Sequence, residues 1–243
     1  MLVNADFSKI AIVMPQHHQW IKSPGGEVER VMLDRIGAES ARATSLVKYL
    51  PHTVFPQHQH PNGEEILVLS GVFTENSTTH YPAGWYLRSP HNSSHTPSSE
   101  QGALIFVKLR QMDLAEAELV RIDTNDTANW QNVDNRFICQ LFQSEHEHTY
   151  LEKLEPEQIL VYPIAQGIEI LVISGTLNFT DADNKTTALE KNAWIRIPPH
   201  VTQSKINSPN ATANLQASAN GASLYIKTNH LIAAAANTTK YSQ

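Results

Sequence analysis

The sequence predicts an all-β chain built as two jelly-roll barrels in tandem. Three observations carry this. Short apolar or alternating runs are broken by Gly, Pro and Asn about every ten residues, a pattern of strands and turns rather than helices. A block of the first half recurs in the second. One run, residues 58–95, gathers the residue types that hold metal ions. At 243 residues the chain is long enough for one large domain or two small ones. The repeat selects two, with a boundary near residue 120: residues 1–120 and residues 121–243.

Residues 1–30 are strand-poor and contain Trp20-Ile21-Lys22-Ser23-Pro24-Gly25-Gly26. His17 and His18 read as solvated, since no ligand partner stands at a useful spacing. Residues 28–33 and 43–50 read as strands by alternation and β-branched content. Pro51-His52-Thr53 is a turn. Val54-Phe55-Pro56 leads into the histidine-bearing strand, its proline marking an edge or a bulge. Residues 66–72 carry no polar interruption before Ser70, as expected of a buried strand. Residues 74–81 form a polar hairpin, which leaves His80 exposed. Trp85-Tyr86-Leu87-Arg88 alternates, and residues 104–109 close the first barrel. Residues 113–126 are acidic and polar and read as a linker or bridging strand.

The run from 58 to 95 carries the chemistry. It opens with His58-Gln59-His60-Pro61-Asn62-Gly63-Glu64-Glu65 and closes on Pro90-His91-Asn92-Ser93-Ser94-His95. Residues two apart in an extended segment share a face, so His58 and His60 point the same way. The Pro61-Asn62-Gly63 turn lets the chain bring the Glu64 carboxylate back toward them. His95 returns on a neighbouring strand after a hairpin. Three imidazoles and a carboxylate converging in a small barrel suit a first-row divalent ion; Zn, Fe(II), Mn, Ni and Co are all admitted by ligand type. A lone histidine in a β-protein is ordinarily a surface or core residue; four ligand-type groups at this spacing are not explained that way. Glu65 is adjacent to Glu64, points to the opposite face, and reads as structural.

The pattern H-x-H-x3-E with a later His resembles the metal signature of the cupin superfamily. The wording is closer still. GEEILVLSGVF, then YPAGWYLRSPHNSSH, then GALIFVKL resemble the cupin domain of the ChrR family, anti-sigma factors that answer singlet oxygen. The resemblance is strong over residues 40–112 and weak over the rest of the first half. It implies that His58, His60, Glu64 and His95 bind one divalent ion, zinc foremost, with Fe, Ni or Mn as alternatives. It also implies a sensing or regulatory role in a singlet-oxygen or oxidative stress response. The sigma-factor partner that goes with it is not expected. The family's anti-sigma members carry a separate N-terminal helical domain with a His/Cys zinc motif, whereas this sequence opens almost directly on the barrel and holds a single cysteine.

The repeat is the next most informative feature. Gly63-Glu64-Glu65-Ile66-Leu67-Val68-Leu69-Ser70-Gly71 aligns without a gap on Gly167-Ile168-Glu169-Ile170-Leu171-Val172-Ile173-Ser174-Gly175. Tyr86 to Pro90 aligns on Trp194 to Pro198, and Phe106-Val107-Lys108 on Tyr225-Ile226-Lys227. The chain therefore reads as a bicupin. The ligands do not repeat: His58 maps to Tyr162, His60 to Ile164, Glu64 to Ile168 and His95 to Gln203. The rear barrel is expected to hold no metal there and to serve scaffolding, dimerisation or recognition. His200 lies near its rim without convergent partners. Glu145-His146-Glu147-His148 reads as a charged loop, and the tail from residue 233 as frayed or a short helix. Arg88 and its repeat partner Arg196 read as structural, each in a salt bridge.

Composition narrows the function classes. The net charge of −6 argues against non-specific nucleic-acid binding, which needs a basic face. No membrane span and no secretory leader are visible. The single Cys139 excludes an intrachain disulfide, fits a reducing cytoplasm, and reads as a small apolar core residue. A homodimer is expected by analogy with cupins of this type. Three functions follow: a metal-dependent sensor or regulator; a metal-dependent dioxygenase of the acetylacetone-, dihydroxyacetophenone- or quercetin-cleaving kind; and a non-catalytic module that clamps a small oxygen-bearing ligand on the ion. A tetrahedral zinc with four protein ligands leaves no position open, whereas an octahedral ion keeps two, which suits dioxygenase or hydrolytic chemistry.

Overall fold

The structure, a computed structural model, describes residues 1–23, 28–38, 40–199 and 214–231. The Pro24-Gly25-Gly26 turn, His200, Gln203 and the tail from residue 233 lie outside the described residues. The architecture is all-β, and every strand pairing is antiparallel. The chain forms two compact units: Met1–Ala5 with Gln19–Asn129, and Asp6–His18 with Trp130–Gln243. Among the described residues no helix is long and apolar enough to cross a membrane.

In the front unit the strands Leu2–Val3, Val28–Ile36, Arg42–Tyr49, Ala103–Leu109, Glu64–Glu75, Trp85–Ser89 and Val120–Asp123 lie side by side in that order. Pro97–Ser99 bridges Thr53–Val54 and the far end of Glu64–Glu75. His58–Gln59 and Ser94–His95 form a short ladder of their own. Alternation sends Ile66, Val68, Leu87, Ile105 and Val107 to one shared core, as the period of a strand requires, and Phe73 joins them from the opposite parity because the register of its strand shifts between Val68 and Ser70.

The rear unit repeats this order with Trp130–Val133, Arg136–Gln143, His148–Leu154, Asn214–Thr228, Ile168–Thr180, Trp194–Ile197 and Ala11–Val13. The register is the same in both. Glu65 stands across from Arg88 and Lys108, and Glu169 across from Arg196 and Lys227. Gly71 and Gly175 occupy the same point of the long strand, with φ of +72° and +74°. A Cβ there would meet the Gly102 or Gly221 carbonyl oxygen at 2.0 or 2.2 Å. Both the left-handed backbone and the close strand approach demand glycine.

The boundaries differ from a single cut at residue 120. Val120–Asp123 pairs with Trp85–Arg88, so the acidic stretch contributes a strand to the front sheet, which runs on to residue 129. Ala11–Val13 pairs with Trp194–Arg196, so residues 6–18 belong to the rear unit. In each case an otherwise open sheet edge gains a partner for its unpaired backbone groups. His17 is exposed as expected, but His18 is half buried.

Replacing Gly71 with Ala is expected to destabilise the protein by more than about 1 kcal/mol, since Ala is strained at positive φ and its methyl has no room. Urea unfolding of G71A checks this; an unchanged midpoint would contradict the shared bend.

Candidate metal centre

The site is assembled by one short ladder and one turn. His58 and His95 stand directly across from each other, with Ser94 across from Gln59. The ladder continues through the His60 N–H, which donates to the Ser93 carbonyl at 2.9 Å. Asn62 and Gly63 then take positive φ, 59° and 73°, and the Gly63 N–H donates back to the His60 carbonyl at 3.0 Å. This turn reverses the chain and delivers Glu64 as the first residue of the long core strand.

All four predicted ligands come together. One donor atom from each of His58, His60, Glu64 and His95 lies within 4.8 Å of the others. The three imidazole centroids are 4.8, 4.9 and 4.5 Å apart, and the rings meet edge-on at 71°, 75° and 89°. Glu64 Oε2 is 3.4 Å from His60 Nε2 and 3.5 Å from His95 Nε2. Two donors about 2.1 Å from a common ion and about 110° apart would stand roughly 3.4 Å from each other.

The hydrogen bonding fits an ion as well. His58 Nδ1 contacts the Pro56 carbonyl at 2.8 Å, and His95 Nδ1 contacts Glu75 Oε1 at 2.8 Å. Each contact needs the proton on Nδ1 and leaves the Nε2 lone pair for a ligand bond. His60 Nε2, Glu64 Oε2 and His95 Nε2 are buried with no hydrogen-bond partner among the described residues. Buried polar atoms that face one another without partners are costly, and a cation bound between them would satisfy all three. Burial pushes the Glu64 carboxyl up to about 7 and His60 down to about 3, the neighbouring histidines adding to the latter. Burial also lowers His58. For His95 burial works downward, but the Glu75 hydrogen bond and the Glu64 and Glu75 charges overcome it and raise its pKa. Three neutral imidazoles and one carboxylate would leave a divalent ion a net charge of +1.

The remaining residues singled out in the sequence fall as follows. Glu65 points away from the cluster and accepts from Arg88 Nη1 at 3.2 Å; Arg88 also pairs with Glu116. Arg196 stacks on the Phe7 ring at 3.9 Å and donates to the Asp6 carbonyl. Tyr162, Ile164 and Ile168 belong to the rear apolar core. His146 is exposed, Glu147 pairs with Lys227 at 3.0 Å, and His148 bonds Gln140 at 2.7 Å, so that stretch does not converge. Cys139 is buried.

Two residues behind the cluster lie beyond the reach of sequence reasoning on the ligands: Glu75, which touches His95, and Arg121, which touches Glu75. Glu75 had a signal, because it stands two residues after the inward-facing Phe73. Arg121 had none, because its place depends on pairing between distant strands.

Residues 8–113 match the family model of the ChrR cupin-like domain. Most of the front barrel is therefore similar to the ChrR cupin-like domain. Cupin-fold structures also resemble the chain as a whole. The protein Ylba from E. coli superposes with a TM-score of 0.63 at 15% identity, covering 92% of each chain. The bacterial pirin YhhW from Escherichia coli, solved in complex with nickel(II), gives 0.61 at 10% identity, covering 90% of this chain and 98% of its own. AerE from Microcystis aeruginosa gives 0.58 at 16% identity, covering 90% and 98%. These likenesses establish a two-barrel cupin fold. No curated protein matches the chain.

The raised Glu64 pKa carries a sign that can be checked. Its contribution to the stability of the metal-free cupin is intact below the usual carboxyl value and is lost as pH rises through about 7. Metal-free E64Q is therefore expected to melt above the metal-free parent at pH 8. A divalent ion at about a thousand times its Kd should raise the parent's melting temperature by roughly 10 °C, and E64Q far less. Thermal melts after chelator treatment check both; E64Q melting below the metal-free parent would contradict the assigned desolvation.

Proposed function

We propose that the front barrel holds one divalent ion on His58, His60, Glu64 and His95, and that this centre serves a sensing or regulatory role of the ChrR type. The observation that carries the reading is that the barrel matched by the ChrR cupin-like family also contains the four-donor cluster. Zinc suits three imidazoles and a carboxylate in a tetrahedral shell; iron, nickel and manganese are compatible with the same groups. The ion would supply Lewis acidity and, where its shell is incomplete, positions for an exogenous ligand. The chain's part is to hold three neutral imidazoles and one ionised carboxylate in a dry, apolar barrel. A stress response, with singlet oxygen or another oxidant as the signal, is the role this resemblance supports.

A second reading, a metal-dependent dioxygenase, is favoured by His58. It alone among the four ligands is only half buried, so a small molecule can approach the cluster from its side. The Phe55 and Phe73 rings lie 5.3 and 5.9 Å from the His58 and His95 rings, and would give such a molecule apolar surroundings.

Elemental analysis of protein purified without added metal separates the two readings when followed by oxygen-uptake assays with diketone and phenolic substrates. Stoichiometric zinc and no uptake is the result expected of a sensor. Iron or nickel with substrate-dependent oxygen uptake would overturn it in favour of the dioxygenase. An exchangeable ion that binds such compounds without turnover would favour a ligand-binding module.

A further inference from the structure

His95 is held from behind by a chain of side chains that ends outside the family-matched residues. Its Nδ1 contacts Glu75 Oε1 at 2.8 Å. Arg121 Nη2 donates to both oxygens of the same carboxylate, at 3.2 and 3.0 Å. Arg121 is itself fixed at every nitrogen. Its Nε donates to Tyr81 Oη at 3.1 Å, Nη1 to the Arg88 carbonyl at 3.1 Å, and Nη2 also to Ser89 Oγ at 3.1 Å. Glu75 and His95 are both buried.

From this geometry we infer that Arg121 is a positioning residue for the metal centre: through Glu75 it fixes the His95 ring with Nε2 facing the other three donors. The inference rests on the ligand reading above.

A buried carboxylate is costly unless paired and hydrogen-bonded. Here the His95 Nδ1 contact and the two contacts from Arg121 Nη2 supply that pairing. An ionised carboxylate on Nδ1–H fixes the ring orientation and makes the opposite nitrogen a better donor. Without Arg121 the carboxylate would lose its counter-charge, and His95 its fixed acceptor. Lysine cannot substitute, because one ammonium cannot reach Glu75, Tyr81, Ser89 and the Arg88 carbonyl together as a planar fork does. Arg121 lies on Val120–Asp123, so the strand that covers the edge of Trp85–Ser89 also completes the support of a ligand.

The test compares the parent chain with R121A, R121K and E75Q by two measurements. The first is solvent exchange of the His95 Nδ1 proton, followed by nitrogen-resolved NMR on the metal-free protein. The second is zinc affinity by competition with a chelator. The parent proton is expected to exchange slowly. In R121A it should exchange fast, with zinc binding weakened roughly 10- to 100-fold. R121K should recover only part of either, and E75Q should repeat the R121A result more weakly. If R121A does not fold, E75Q carries the test. Slow exchange persisting in both R121A and E75Q would overturn the inference, whatever their affinity. If the parent binds no zinc while its proton still responds to R121A, the ligand reading fails and the support of His95 by Arg121 stands.

Discussion

The front barrel is organised around a conflict that its backbone must hold in place. His60 Nε2, His95 Nε2 and Glu64 Oε2 face one another out of reach of water. Left to relax, such groups would turn toward solvent or find donors. The ladder between His58 and His95, the tight turn at Asn62-Gly63 and the Glu75 contact remove that freedom. Even the turn is wedged: a Cβ on Gly63 would lie 2.2 Å from the Met112 sulfur. The binding energy of an ion is thus prepared by strand pairing and packing before any ion arrives.

The rear barrel shows what the same frame does without that conflict. Tyr162, Ile164 and Ile168 take the ligand positions and join the apolar core. The rear barrel instead places its buried charge on a different wall. Glu152, across from Leu224, pairs with Arg136 at 2.6 Å, and Arg136 also donates to Tyr150 Oη. The corresponding front position is Val47, across from Ile105. Here the polar groups satisfy one another, a closed network rather than an open set of acceptors. The two barrels share register and the Gly71/Gly175 bend; what sets the front one apart is the four donors it gathers at one point.

Much of this was legible in the residues because it depends on short-range periodicity. His58 and His60 two apart, a turn of Pro, Asn and Gly, and Glu64 beginning an apolar run are local signals with one geometric outcome. The gapless match of residues 63–71 with 167–175 likewise foretold two equivalent sheets. What was hidden depends on pairing at long range. Ala11–Val13 is too short to show a period, so its place beside Trp194–Arg196 could not be read. Val120–Asp123 lies in an acidic stretch that looks like a linker, and only its alignment on Trp85–Arg88 brings Arg121 to Glu75. Glu75 is an intermediate case: the alternation from Phe73 pointed it inward, but the polar residues that follow made the segment look like an exposed hairpin.

Three imidazoles and one carboxylate of the front barrel are proposed to share a single ion. Extended X-ray absorption fine structure at the edge of the bound metal reads that shell without an activity assay. For zinc the expected shell is three imidazole nitrogens and one carboxylate oxygen at about 2.0–2.2 Å, with one imidazole lost in H95A. Sulfur in the shell, or a parent spectrum that H95A leaves unchanged, would contradict it.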